Sequence, residues 1–160
     1  MSTRTENQSA RPALDGVAGA RILIVEARFY TDLADTLAAG AERELAKYNC
    51  VVERAGVPGA FEIPGVVALA AGKYDGFVTL GCVIRGETTH YDYVCGESAR
   101  GLMNLSTFDG LAIGYGILTV ENLEQAEVRA DPARGDKGGE STRAALAMVA
   151  IKRRFAGGQR

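Results

Sequence analysis

The sequence is short of reactive side chains, and each shortage rules something out. It holds one histidine, His90, and three cysteines, Cys50, Cys82 and Cys95. An odd number of widely spaced cysteines with no C-x-x-C makes no disulfide framework, and with a single histidine it makes no zinc site. Unpaired thiols of this kind read as small buried hydrophobes. No G-x-G-x-x-G follows the first strand pattern and no Walker A loop occurs, which disfavours NAD-dependent and nucleotide-driven chemistry. A serine-centred nucleophile elbow is missing too. No apolar run reaches membrane-spanning length. The first residues lack the charged-then-apolar pattern of a secretory leader, so the expected location is cytoplasmic. The formal net charge is −2, with Lys and Arg gathered only near the C-terminus, which speaks against nucleic acid as a partner.

What remains is a chain of 160 residues, 47% of them apolar, enough for one domain with a full core. Residues 1–19 are polar, carry Pro12 and Gly16, and read as an N-terminal arm; residues 20–157 read as the folded domain. Arg21 to Glu26 is a short, nearly continuous apolar run, the mark of a strand covered on both faces. Thr31 is placed to cap a helix to about Tyr48, with Leu33, Leu37, Ala41 and Leu45 on one face. A second strand runs from Cys50 to Val57. Pro58-Gly59 breaks it, and a short helix is expected from Val66 to about Ala71, with Pro64 suited to the first helical turn. Phe77 to Ile84 is a third strand, and a helix from Thr89 to about Thr107 opens on a Thr89-x-x-Asp92 capping pattern. Leu111 to Thr119 is a fourth strand. Asn122-x-x-Gln125 opens a helix to about Arg129. A last helix, about Gly138 to Phe155, shows Ala144, Met148, Ile151 and Phe155 as its face. Strands alternating with helices through short loops predict a parallel sheet, right-handed crossovers and helices on both faces. A four-stranded sheet leaves open edges, so an oligomer, or an arm from a neighbouring subunit, is expected to cover one.

In such a sheet the carboxyl ends of the strands share one rim, where ligands gather. The third strand ends in the densest chemistry of the chain: Arg85, Gly86, Glu87, Thr88, Thr89 and His90. Histidine ordinarily titrates near neutral pH, so His90 is a candidate proton shuttle for carbonyl condensation or elimination. The plainer reading is a surface or helix-cap histidine. Phe29, just past the first strand, either stacks on a planar heterocycle or folds onto the core. The Pro58 to Glu62 loop meets a helix start, whose amides bind anions or polar ligand oxygens. Glu62 either accepts hydrogen bonds from ligand hydroxyls or only complements the helix dipole. Arg129 and Lys137 flank a Pro/Gly loop. They either fix a phosphate, Arg129 in bidentate fashion, or serve as helix-end compensation and solvated surface.

Five segments together resemble the 6,7-dimethyl-8-ribityllumazine synthase family. They are Arg28-Phe29, Val57-Pro-Gly-Ala-Phe-Glu-Ile-Pro64, Leu80-Gly-Cys-Val-Ile-Arg-Gly-Glu-Thr-Thr-His-Tyr-Asp-Tyr-Val94, Gly116-Ile-Leu-Thr-Val-Glu-Asn-Leu-Glu-Gln-Ala126 and Gly135-Asp-Lys-Gly138. The resemblance implies a flavodoxin-like three-layer α/β sandwich with a four-stranded parallel sheet, a homopentamer, and active sites between neighbouring subunits. The implied reaction joins 5-amino-6-(D-ribitylamino)uracil to 3,4-dihydroxy-2-butanone 4-phosphate, the penultimate step of riboflavin biosynthesis. Neither a metal nor a redox cofactor is implied. By position, Phe29 is expected to stack on the pyrimidine ring. Ala60 and Glu62, with Phe61 between them, are expected to hold the ribityl chain, and the backbone at Val83 and Ile84 the pyrimidine edge. Gly86, Glu87 and Thr88 are expected to line the phosphate pocket, with Arg85 counted among the substrate-binding residues and His90 as the proton shuttle. Tyr115, where many members have Phe, is expected from the adjacent subunit, together with Arg129 on the phosphate and Lys137 near the ribityl chain.

Some family members stop at the pentamer and others build a sixty-subunit shell. The loop at the shell contact often reads Gly-Thr-Lys-Ala-Gly-Asn, whereas this chain has Asp131-Pro132-Ala133-Arg134-Gly135-Asp136. Pro132 fixes a backbone dihedral and the charges change, which favours the pentamer over the shell. Two other readings stand beside synthesis of the lumazine: a riboflavin synthase of the archaeal type, and a flavin- or lumazine-binding protein without turnover. An intact His90 and Arg129 argue against the second.

Overall fold

The computed structural model describes residues 14–157. Its elements are β1 (Arg21–Ala27), α1 (Thr31–Leu45), β2 (Val51–Val57), α2 (Ile63–Leu69), β3 (Gly76–Ile84), α3 (His90–Asp109), β4 (Ile113–Val120), α4 (Leu123–Ala130) and α5 (Lys137–Ala156), with a 3-10 turn at Ala60–Glu62. The sheet is parallel throughout, in the order β2-β1-β3-β4. Side chains alternate across it. Ile22 and Ile24 of β1, with Val78 and Leu80 of β3, join the core built by α1, α4 and α5. Leu23, Val25 and Phe77 join the core built by α2 and α3. Two covered faces explain why β1 and β3 read as apolar runs rather than as alternating ones. The result is the three-layer flavodoxin-like α/β sandwich that the strand–helix order and the family likeness predicted.

Element boundaries match the sequence reading closely, and the differences have causes. Thr31 does not cap α1; Tyr30 holds the cap position and its side chain makes no capping bond. Thr89 holds the cap position of α3, but with helical dihedrals (φ −73, ψ −1) and no capping bond. A capping side chain needs a backbone outside the right-handed helical region, most often an extended one, to reach the next turn's amides. Asn122 has that backbone, and its Oδ1 accepts from Gln125 N at 2.9 Å while Gln125 Oε1 accepts from Glu121 N at 2.8 Å.

The face of α5 is a correction. Its buried residues are Gly138, Gly139, Ser141, Thr142, Ala145, Leu146 and Val149, while Met148 and Phe155 stay exposed. The helix lies so close to its neighbours that a Cβ on Gly138 would overlap the Leu37 carbonyl, and one on Gly114 the Ser141 carbonyl. Only small residues fit such a contact. Ser141 and Thr142 can be buried because their hydroxyls donate to Gly138 O at 3.1 and 2.8 Å.

The N-terminal arm expected over residues 1–19 lies outside the described residues up to residue 13. From there the chain packs on the body. Leu14 touches the core and Val17 is buried, and Arg153 Nη1 donates to Gly16 O at 3.0 Å and to Ala18 O at 2.9 Å. β2 is an open edge, with Val51 and Val52 exposed. Among the described residues no helix is long and apolar enough to cross a membrane.

Candidate active site

β1, β2 and β3 end on one rim because the sheet is parallel and in register. Arg28 N–H extends the ladder to Val57 O at 2.8 Å, so the Phe29 and Pro58 loops leave side by side. Beneath them Glu26, only 5% exposed, accepts Arg54 Nε and Nη2 and Arg28 Nη1, each at 2.8 Å. Arg28 also donates to Asp35 at 2.8 Å, and these carboxylates raise the pKa of its guanidinium. Charge-assisted bonds of this kind hold a strand end firmly. The Phe29 ring is 73% exposed and stands edge-on to Tyr30, centroids 4.9 Å apart at 81°. It is not folded onto the core.

Between these loops and α3 opens a cavity of about 530 Å³, within the range of small-molecule sites. Of the residues singled out from sequence, Phe29, Ala60, Phe61, Glu62, Val83, Ile84 and His90 line it. Glu62 sits at the start of α2 without a side-chain capping bond. Among the described residues its carboxylate has no hydrogen-bond partner, so it is available to ligand hydroxyls. His90 is the first residue of α3. Its backbone N–H donates to Thr88 Oγ1 at 3.3 Å, and its imidazole has no partner among the described residues.

Gly86, Glu87 and Thr88 form the turn between Ile84 and His90. All are exposed. Among the described residues the amides of Gly86, Glu87, Thr88 and Thr89 find no protein acceptor. Four successive free N–H groups ahead of a helix are a ready anion site. A Cβ on Gly86 would meet nothing within 4 Å. Among the described residues nothing therefore demands glycine there, and its absent side chain leaves the amides open to a ligand.

The remaining residues fall elsewhere. Tyr115 borders a separate cavity of about 290 Å³ with Leu102, Met103 and Ile113; burial raises its hydroxyl pKa. Arg129 Nη1 donates to Gln125 O of its own helix at 3.1 Å, and Lys137 Nζ pairs with Glu140 at 3.1 Å. Neither borders the His90 cavity. Arg85 does not border it either; its Nε donates to Glu121 Oε2 at 2.8 Å.

Tyr30, Cys82 and Tyr93 also line the cavity and were not singled out from sequence. Tyr93 lies one helical turn from His90 and Cys82 two strand positions from Ile84, so each period pointed to them. Burial, followed by the neighbouring Cys95, pushes the Cys82 thiol up to about 11. At neutral pH it is a neutral part of the wall rather than a nucleophile. Among the described residues no group of three His, Cys, Asp or Glu side chains could hold a metal ion.

Known proteins carry the same pattern. A family model described as 6,7-dimethyl-8-ribityllumazine synthase matches residues 19–153. A protein of that name from Erythrobacter litoralis is 58% identical over 138 residues, 85% of this chain and 98% of its own. One from Novosphingobium aromaticivorans is 59% identical over 138 residues, with 85% and 99% covered. One from Methylorubrum populi is 48% identical over 160 residues, with 96% and 95% covered. The chain belongs to the 6,7-dimethyl-8-ribityllumazine synthase family.

Proposed function

We propose that this protein is a transferase that condenses 5-amino-6-(D-ribitylamino)uracil with 3,4-dihydroxy-2-butanone 4-phosphate. The products are 6,7-dimethyl-8-ribityllumazine, phosphate and water, in riboflavin biosynthesis. The observation that carries the reading is one cavity holding a free aromatic ring, a free carboxylate and the only imidazole, beside four unpartnered amides. An aromatic heterocycle, a polyol, a proton in transit and a phosphate have corresponding partners there.

The chemistry needs little more. The primary amine adds to the ketone and water leaves, giving an imine. Loss of a proton from the adjacent carbon expels phosphate from the next one. The enol so formed becomes a ketone, the ribityl-bearing nitrogen adds to it, and a second water leaves as the ring closes. Every step moves a proton between nitrogen, carbon and oxygen, and His90 carries it. Phe29 stacks on the pyrimidine, with the backbone of Val83 and Ile84 at its edge. Ala60, Phe61 and Glu62 hold the ribityl chain. Gly86, Glu87 and Thr88 receive the phosphate.

Among the described residues no lysine or arginine lines the cavity. The second half of the site comes from a neighbouring subunit in a homopentamer, which supplies Arg129 to the phosphate, Tyr115 to the ring and Lys137 to the ribityl chain. The Asp131 to Asp136 loop, closed by an Arg134–Asp131 pair at 2.9 Å, favours a ring that does not assemble further. The test is to mix both substrates and follow lumazine fluorescence and phosphate release together. Equal appearance of the two supports the reading. Riboflavin formed from the lumazine alone, or binding without turnover, overturns it.

A further inference from the structure

Arg85 stands where the phosphate turn begins, yet the structure gives its side chain to other partners. Its own N–H makes the last backbone bond of the β3–β4 region, to Val120 O at 2.9 Å. Its Nε donates to Glu121 Oε2 at 2.8 Å, and its Nη1 reaches Asp92 Oδ1 at 3.5 Å. The face of the same guanidinium lies on the Tyr91 ring, 4.3 Å from its centroid. Tyr91 and Asp92 immediately follow His90, and Glu121 immediately follows β4.

One flat group therefore spans the gap that the backbone leaves open. Gly86 to Thr89 are exposed and hold no ladder bond among the described residues, so the backbone alone does little to fix where α3 begins. The guanidinium joins the end of β4 to the first turn of α3 by its edge and its face at once. Glu121, bonded to it most closely, also raises its pKa. Two carboxylates against one cation make a poor site for a phosphate, which they would repel.

We propose that Arg85 is a positioning residue: with Glu121, Asp92 and Tyr91 it clamps the first turn of α3, and so sets where His90 sits relative to the Gly86–Thr89 turn. This rests on the reading of His90 and that turn given above. Arg85 touches no substrate. Lysine cannot replace it, because an ammonium has neither the fork nor the flat face.

The test uses the assembled protein with Arg85→Lys, Arg85→Met, Glu121→Gln and the Arg85→Met/Glu121→Gln double variant, each substrate varied in turn. A small displacement of reacting groups lowers turnover by about 10–100-fold. Both Arg85 variants are expected to lose kcat on that scale, with KM for the butanone phosphate changed by less than about threefold. Glu121→Gln is expected to fall in the same direction, and the double variant to be no worse than Arg85→Met alone, as for two groups acting through one contact. A tenfold or larger rise in KM in Arg85→Met, restored by Arg85→Lys, would assign Arg85 to substrate and overturn the proposal. A second readout does not depend on activity. His90 is the only histidine, so ¹³C-labelled histidine gives one assigned imidazole signal. That signal is expected to move in Arg85→Met and Glu121→Gln and to stay in the distant Lys73→Met. A signal unmoved in both clamp variants sinks the clamp. A wild type that makes no lumazine sinks the proposed function and leaves the clamp to be decided by the signal.

Discussion

On the proposed reaction, His90 is expected to carry a smaller share of the rate than its place in the cavity invites. Both reactants are uncharged at the reacting atoms, and holding them together supplies as much as about 7–11 kcal/mol in favourable cases. Proton transfer by one side chain adds about 10²–10⁴-fold. Single-turnover rates of His90→Ala are therefore expected to fall within that range. A loss well beyond about 10⁴-fold would move the burden from positioning to the imidazole. At this scale the sequence is readable where a side chain's position follows from its place at a strand end, as for Phe29 and His90, which both line the cavity. It is not readable for Arg85, whose partner Glu121 is 36 residues away. Nothing local shows that the guanidinium turns to that carboxylate and not to a ligand.

The elements were legible because of how they are buried. Two covered faces gave β1 and β3 continuous apolar runs, and α1 showed its core face as leucines and an alanine four apart. The face of α5 was hidden because close approach selects small and hydroxyl-bearing residues, which carry no hydrophobic signal. That closeness sets a competition at Gly138. Alanine there gains about 1 kcal/mol of helix propensity. Its Cβ would overlap the Leu37 carbonyl and lie 3.0 Å from Ala41 N, both backbone atoms that cannot swing aside. Overpacking costs about 1–3 kcal/mol, and more where backbone must shift. Overpacking is expected to win, so thermal melting of Gly138→Ala should show a Tm lower by a few degrees, about 2–4 °C per kcal/mol lost. An unchanged or raised Tm would mean that α1 and α5 separate more easily than their contact implies. The caps divide in the same way. Asn122 announced itself, whereas Thr31 and Thr89 are the right residue types on or beside backbone that does not let them cap.

The molecule exposes Met103, Phe108, Leu69 and Phe155 along with the β2 edge. The proposed ring, with sites shared between neighbours, makes a specific demand. Chains carrying His90→Ala and chains carrying Arg129→Ala are each expected to be nearly inactive, but co-assembled in equal amounts they should recover about a quarter of wild-type activity. One junction in four then pairs an intact His90 with an intact Arg129 across a heterologous contact. No recovery on co-assembly would place the whole site within one subunit. The turn after β3 also has a consequence in time rather than in space. The Arg85 amide is locked to Val120 at the edge of the sheet core, while the next four amides face water. Across one peptide link, exchange with deuterium should pass from the slow regime of global opening to almost the free-chain rate. Such a step makes the turn its own reporter. Added inorganic phosphate should slow exchange at Gly86 to Thr89 alone, and the protein would register its ligand as four stopped clocks beside one that had hardly been running.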